Sequence, residues 1–387
     1  MKKRRLILML GILLWCFMLV SCGVKSKSAL PIIKSEYPTI PFDDDKWEIT
    51  GEYKTETYLG QECVLLKKGT TAILRDTVFS DGVIEFDIAF PKIRGFTGIC
   101  FRMSDPGNYE EFYMRAHQSG NPDANQYTPV FNGLAAWQLY YSGAGFGAPT
   151  KYPDNEWMHV KIIVSGENAL IYLKDMDKPA LSVKLLHKLK KGKIALRIPD
   201  LPIPGFYSRF ANFSFSENSV PITIAPENIK QAAKGTIMSW AVSNPVEEKK
   251  LAGKTTLTKT DKASLAWSAL SADSSGIVNI SRLHYKDKKN NTVFAKIFVD
   301  SQKNQIKKLS FGYSDRVRLF FNDKLFYSGN NTYRTRDYRY LGSIGYFDEV
   351  YLPLKAGRNE IIMAVSESFG GWGIMAKLEN MEGITGF

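Results

Sequence analysis

The chain has 387 residues, enough for two or three domains at roughly 150 residues each. With 44% hydrophobic and 23% charged residues its composition is that of a globular protein, which excludes a mini-protein, a collagen-like repeat and wholesale disorder. Lys and Arg number 51 against 39 Asp and Glu, a formal charge of +12; Lys2, Lys3, Arg4 and Arg5 supply four of these, so the rest of the chain carries +8. That surplus is spread without a basic stripe, which argues against nucleic acid as a partner.

Behind the four basic residues runs an apolar stretch from Leu6 to Val20, 15 residues long. A bilayer span needs roughly 20, so residues 1–21 are expected to be a cleaved signal peptide. Leu19-Val20-Ser21-Cys22 resembles the lipobox of bacterial lipoproteins. The resemblance implies lipidation at Cys22, with two or more acyl chains holding the membrane stably. Gly23, where the sorting pattern would otherwise carry Asp, implies the outer membrane of the cell envelope, on either its periplasmic or its surface face. Residues 22–36, rich in Ser, Lys and Pro, are expected to be a tether. Cys16 leaves with the signal and Cys22 is consumed by lipid, so Cys63 and Cys100 remain; a disulfide and two buried thiols both stay open. His117, His159, His187 and His284 are scattered, with no HExxH or CxxC, so no zinc site and no cofactor are expected.

From residue 37 onward strand signals dominate. Ile84, Phe86, Ile88 and Phe90 alternate with polar neighbours, and period-two runs recur at 98–103, 111–117, 136–141, 157–164, 169–173 and 193–198, with a last strand at Phe210–Phe215. Turn residues such as Ser80-Asp81-Gly82 and Asp105-Pro106-Gly107 fall between the runs. Residues 37–220 are therefore read as a β-sandwich. Between 217 and 262 the composition shifts to Pro, Lys, Thr and Ala, with a short helix expected over Pro226–Ala233. A boundary near 220 opens a second unit, 221–387, with a linker and runs at 277–283, 293–299, 307–313, 316–321, 349–353 and 360–365, and a hairpin turn at Asn322-Asp323. The expected fold class is all-β: two β-sandwich (jelly-roll) domains.

Strand parity nominates a site. If Ile84, Phe86 and Ile88 point inward, Glu85 and Asp87 point outward; the same parity releases Arg102, Tyr113, Arg115 and His117. Unbroken alternation would place all of these on one surface. The loop that follows is amide-rich and contributes Asp123, Gln126, Tyr127, Asn132 and Trp137. Amides, carboxylates and arginines pair with hydroxyls while aromatic faces pack on a pyranose ring, so this set suits a carbohydrate ligand. His117 is the natural proton-transfer group, while His159 beside Trp157 reads as structural.

Asp81-Gly82-Val83-Ile84-Glu85-Phe86-Asp87-Ile88, Gly98-Ile99-Cys100-Phe101-Arg102, Phe112-Tyr113-Met114-Arg115 and Glu156-Trp157-Met158-His159-Val160-Lys161-Ile162 resemble the strands of concanavalin-A-like lectin/glucanase domains. Laminin-G-like modules and the bacterial 3-keto-disaccharide hydrolase domain are the nearest likenesses within that superfamily. Family-16 glycoside hydrolases carry Glu-x-Asp-x-x-Glu; Glu85 and Asp87 match its first two places, but Phe90 stands in the third, which removes the acid/base of a double displacement. The 3-keto-disaccharide likeness implies instead elimination with His117 or Glu85 as base and Arg102 or Arg115 steadying the enolate. Residues 235–387, from Leu309-Ser310-Phe311-Gly312-Tyr313 through Phe321-Asn322-Asp323 to Gly371-Trp372-Gly373, resemble galactose-binding-like sandwiches. That likeness implies a loop-borne sugar site with Arg334, Arg336, Asp337 and Trp372; the alternative for Gly371-Trp372-Gly373 is a packing corner. Calcium is common in the concanavalin-A-like superfamily and a structural calcium stays open. Three functions are carried forward: a carbohydrate-binding lipoprotein of the cell envelope, a glycoside-cleaving enzyme, and a structural or protein-binding lipoprotein.

Overall fold

The structure, a computed structural model, describes residues 35–218, 221–224 and 230–387. The expected signal peptide, Cys22 and nearly all of the tether lie outside the described residues. So does the first half of the helix expected over 226–233, and its described remainder, 230–233, is not helical.

The first sandwich is built from β1 (Trp47–Thr50), β2 (Tyr53–Tyr58), β3 (Gln61–Lys67), β4 (Thr71–Leu74), β5 (Gly82–Ala89), β6 (Phe96–Asp105), β7 (Asn108–Arg115), β8 (Asn125–Phe131), β9 (Leu134–Ala135), β10 (Met158–Ser165), β11 (Asn168–Leu173), β12 (Leu181–Lys184), β13 (Lys193–Arg197) and β14 (Tyr207–Ser216). Its first sheet runs β1-β4-β13-β6-β7-β8-β9 and its second β12-β11-β10-β5-β14-β3-β2. Period-two alternation sends Ile84, Phe86 and Ile88 of β5 and Val160 and Ile162 of β10 inward against Ile99, Phe101, Phe112 and Met114 of the first sheet. All of these side chains are buried.

Two bulges interrupt the alternation. In β14 the pairing with β5 shifts between Ala211 and Ser214, and Asn212 takes a φ of +51°, so Phe210 and Phe213, an odd number of residues apart, both enter the core. In β6 the pairing with β7 shifts after Phe101, and Arg102 takes a φ of +49°.

The second sandwich comprises β15 (Ser239–Ser243), β16 (Val246–Glu247), β17 (Trp267–Ser271), β18 (Val278–Asn279), β19 (Asn290–Ser301), β20 (Gln305–Ser314), β21 (Arg316–Phe321), β22 (Lys324–Asn330), β23 (Asp348–Leu354), β24 (Gly357–Ser366), β25 (Gly373–Leu378) and β26 (Ile384–Gly386). Its larger sheet runs β17-β15-β19-β24-β21-β22, with β16 and β26 also on β19; the smaller runs β18-β25-β20-β23. Asn322 and Asp323 take φ of +46° and +71°, both positive as a two-residue type I′ hairpin requires. The fold class is the expected one: all-β, in antiparallel sandwiches.

Three local expectations change. The run at 136–141 is not a strand but a turn, and 277–283 holds only β18 and a 3-10 turn at Ile280–Arg282. The linker-like stretch before residue 262 builds structure: it contributes β15, and its Leu251 and Leu257 cover Phe294, Phe320 and Ile362 on the outer side of the larger sheet. The short helix α1 (Lys259–Ala263) follows, closed by a Thr258–Asp261 capping box.

Arg102 illustrates what a bulge does to a side chain. At 2% exposure it donates from Nε to the Ser80 carbonyl (2.8 Å) and from Nη2 to Asp81 Oδ1 (2.5 Å) and the Gly166 carbonyl (2.8 Å), tying the turn before β5 to the β10–β11 turn. Replacing it with Ala orphans both carbonyls, and hydrogen bonds from a charged donor of this kind are worth about 1.5–3 kcal/mol. Arg102→Ala is therefore expected to lower the chemical unfolding midpoint of the first sandwich by about 2 kcal/mol equivalent, measured by urea titration; an unchanged midpoint would show that the anchor is dispensable.

Candidate functional site

The residues expected on one surface occupy four places, His117 lying in the 3-10 turn after β7. Glu85 and Asp87 lie on the outward face of the second sheet, Tyr113 and Arg115 on the outward face of the first, and Arg102 is the end anchor just described. The correction has a simple cause: parity tells which residues leave the core, but not which of two opposed faces they leave it for. The two outward faces are separated by the thickness of both sheets and the core between them.

On the second sheet, His159 sits opposite Asp87 across the β10–β5 pairing, with Nδ1 2.8 Å from Asp87 Oδ1 and Nε2 3.9 Å from Glu85 Oε1. Lys161 reaches Glu85 at 3.3 Å, and Asn212 Nδ2 donates to Asp87 Oδ2 at 2.8 Å. Burial alone would lower the His159 pKa, but its hydrogen bond to Asp87 and the nearby Glu85 carboxylate win and raise it to about 9. Burial likewise opposes ionisation of Glu85, but His159, Ser35 and Lys161 bring it down to about 2. Ser35 caps the cluster by bonding Glu85, and Ser214 donates to Ser35. Opposite charges meet here, while the buried His159 Nε2 has no hydrogen-bond partner.

On the first sheet the outward row runs Arg197, Tyr113 and Gln126, with Arg115 beside it and Glu111 in the next row. Arg115 Nη2 donates to Tyr113 Oη (2.7 Å) and Gln126 Oε1 (2.5 Å), while Nη1 donates to the Asp123 carbonyl (2.9 Å). Gln126 Nε2 then donates to the Trp137 carbonyl at 2.8 Å and also to that of Tyr140. Burial pushes the Tyr113 hydroxyl up to about 12. Burial also raises the Glu111 carboxyl against the pull of Arg197, 3.3 Å away. Cys100 lies on this same face and Cys63 on the outward face of the second sheet; both are free and buried, so they do not pair.

Other nominated residues lie elsewhere. His117 sits in the 3-10 turn Ala116–Gln118, edge-on to Phe96 at 5.4 Å, and burial together with Arg94 lowers its pKa. Tyr127 faces the core, where it donates to buried Glu110 at 2.6 Å. Asn132 takes a φ of +50° in the β8–β9 turn and donates to the Ser281 carbonyl of the second sandwich at 2.7 Å. Trp372 is fully buried and donates to the Val365 carbonyl at 3.0 Å, so its glycine-flanked run is a packing corner and not a sugar platform. Arg336 is paired with Asp348, and Asp337 with Arg339 at 3.0 Å.

Trp137 leads to the feature that parity missed. The turn Ala136–Tyr140 leaves the first sandwich and enters the second, where Ala136, Leu139 and Tyr140 pack on Ile277, Ile344 and Met375. Gln138, fully buried, donates from its amide N–H to the Gly370 carbonyl (2.9 Å) and from Nε2 to the Leu341 carbonyl (2.6 Å). It accepts from Ile344 N–H (2.9 Å) and from Ser314 Oγ (3.1 Å). Gly370 and Gly371, at φ of +104° and +140°, make this approach feasible: a Cβ on Gly370 would lie 2.4 Å from Gln138 Oε1, and one on Gly371 would lie 3.1 Å from the Ala136 backbone. Tyr140 adds a 2.9 Å hydrogen bond to Asp273.

At the rim of this seam three rings meet edge to face. Trp137 is 6.3 Å from Tyr333 and 5.6 Å from Phe369, and those two are 6.4 Å apart. Phe369 is 52% exposed, and Trp137 and Tyr333 are half-buried. The exposed Arg334 guanidinium lies over the Tyr333 ring at 5.0 Å. Tyr333 and Phe369 were not nominated from sequence; the one available signal was a large apolar residue inside the loop Ser368-Phe369-Gly370-Gly371. Beneath the platform lie Asp315 and Glu367, both buried. Burial raises both carboxyls, and the Asp315 charge helps raise Glu367 to about 8. Among the described residues no group of three or more His, Cys, Asp or Glu side chains converges.

No family model and no curated protein matches this chain. Solved structures do. The carbohydrate binding module CBM66 from Bacillus subtilis is 18% identical over 45% of this chain and 99% of its own, with a TM-score of 0.34. A Bacillus subtilis protein of unknown function with a galectin-like fold is 12% identical over 45% and 90%, with a TM-score of 0.33. The Bacillus licheniformis beta-glucanase is 11% identical over 46% and 95%, with a TM-score of 0.31.

Removing the Gln138 side chain tests whether this insertion holds the seam. Gln138→Ala orphans the Leu341 carbonyl and the Ser314 hydroxyl, a loss of about 1–3 kcal/mol. Amide hydrogen exchange at 341–344 and 370–371 is expected to accelerate by roughly tenfold while β5 stays protected; uniform acceleration across both sandwiches would mean that the seam has no local stability of its own.

Proposed function

We propose that this chain is a lipid-anchored protein of the cell envelope that binds carbohydrate at the rim between its two sandwiches. One observation carries the reading: Trp137, Tyr333 and Phe369, drawn from both sandwiches, form a partly exposed aromatic platform with the Arg334 guanidinium over the Tyr333 ring. Aromatic faces take the apolar side of a pyranose ring, and a guanidinium pairs with neighbouring hydroxyls or an acidic substituent. Behind the platform, the Arg115–Tyr113–Gln126 network holds the Trp137 and Tyr140 carbonyls, so the ring sits on a braced turn and not on a free loop.

Binding is favoured over cleavage because the four nominated catalytic residues do not converge. Glu85 is locked with His159 on the opposite face, Arg102 is an anchor, Arg115 is spent on Tyr113, Gln126 and the Asp123 carbonyl, and His117 has an aromatic neighbour and no carboxylate hydrogen bond. A base and an electrophile must flank one substrate atom to act on it.

The test uses soluble protein beginning after Cys22 on an array of plant, host and bacterial glycans and 3-keto-glucosides, with binding and released reducing sugar read together. Binding without release is expected, and Trp137→Ala is expected to weaken it at least tenfold, about 1.4 kcal/mol. Release of sugar would replace the reading with an enzyme, and absence of both signals would move it to a protein partner. In cells, Cys22→Ser is expected to abolish incorporation of labelled fatty acid and membrane retention; retention without label would overturn the anchor.

A further inference from the structure

The loop that carries Phe369 is held from below by two acids. Asp315 Oδ2 accepts the backbone N–H of Ser368 (2.8 Å) and of Phe369 (3.1 Å), and Glu367 Oε1 accepts that of Gly371 (3.1 Å). The other oxygen of each, Asp315 Oδ1 and Glu367 Oε2, is buried without a hydrogen-bond partner. At 0% and 1% exposure neither carboxyl reaches solvent.

The charges around the pair do not neutralise it. Arg316, next in sequence, faces both acids but spends its fork on Glu248, at 2.6 and 2.7 Å, and its Nη1 on Ser368 Oγ at 2.9 Å. Lys286 faces them from the segment before β19 and donates to the Ser368 carbonyl at 2.9 Å. From the first sandwich the residues meeting this loop, Trp137 and Gln138, are uncharged. Two carboxylates buried together with no cation committed to them cannot both remain ionised.

We propose that Asp315 and Glu367 share one proton, and that this proton seats the Phe369 loop and so completes the aromatic platform. The two acids are positioning residues: they act on the ligand through the backbone of 368–371, and their relevance to glycan binding rests on the reading given above. While the proton is held, the pair carries a single negative charge and its other oxygens keep the three backbone N–H groups. When it leaves in alkali, two like charges are buried together, and the loop opens to let them reach water. The sign follows from the raised values: the folded state favours the proton, so the stabilisation is fully present in acid and is lost as pH rises through the folded-state value.

The test needs no ligand, so its failure is separable from failure of the binding reading. Amide exchange at 368–371, divided by intrinsic rates, is compared at pH 6 and pH 9 in the full soluble chain. Protection is expected to fall roughly tenfold at pH 9 in the native sequence and to stay constant in Glu367→Gln, whose carboxamide oxygen accepts the Gly371 N–H and which carries no charge at either pH. Asp315→Asn gives the mirror arrangement and the same expectation should the first variant not fold. Equal protection at both pH values in the native chain, or an undiminished pH loss in both amide variants, would overturn the proposal. So would restoration of protection at pH 9 by calcium chloride together with its loss at pH 6 in a chelator, because a cation would then occupy the place given to the proton.

Discussion

The insertion of one turn, Ala136–Tyr140, into the second sandwich is the constraint on which the candidate site depends. A β-sandwich can bury its own core without help, and each half here does so around its own cluster. What neither half makes alone is the rim: Trp137 comes from one sandwich and Tyr333 and Phe369 from the other. Gln138 sets their relation by using its backbone N–H, backbone carbonyl and both side-chain functions on the second sandwich. A buried amide bonded through both its oxygen and its nitrogen specifies one docking geometry, because any slip leaves polar groups unpaired in a place where water cannot replace them. Glycines at 370 and 371 complete the fit by removing the Cβ atoms that would hold the turn away.

The legibility of the fold follows from what periodicity measures. Ile84, Phe86 and Ile88, and Val317 and Leu319, alternate cleanly because one face of their strand meets a core, and those strands stand where alternation places them. The Asn322-Asp323 turn was readable because few residues besides Asn, Asp and Gly accept two consecutive positive φ values. Trp137-Gln138-Leu139-Tyr140 misled for the same reason that the others informed. Its apolar residues are buried, but against a second sandwich, so an apolar run marked an interface and not a strand.

The site was less legible than the fold. Arg115, Tyr113, Gln126 and Trp137 do form one connected group, linked by hydrogen bonds along the first sheet, and each was visible as a polar or aromatic residue released by parity or its adjoining loop. Glu85 and Asp87 were equally visible and belong elsewhere, since alternation carries no information on which sheet a strand joins. Arg102 was lost to a bulge, where a positive φ at a non-glycine residue turned the side chain to the sandwich end. Tyr333 and Phe369 lie more than 190 positions from Trp137 in sequence, and the pairing of distant loops is a property of topology that no local pattern records.

The placement of charge separates the two outward faces in kind. On the second sheet His159 and Lys161 are set against Asp87 and Glu85, so opposite charges meet on that surface. Under the rim the opposite holds: Asp315 and Glu367 are buried while the nearby cations are committed to Glu248 and to the Ser368 carbonyl. A fold selected only for stability has no need to bury two partnerless carboxyl oxygens beneath an exposed aromatic residue; apolar side chains of similar volume would cost less. Their cost falls at the one loop that completes the platform, and strain of that kind concentrates where a structure must present a surface as well as enclose a core.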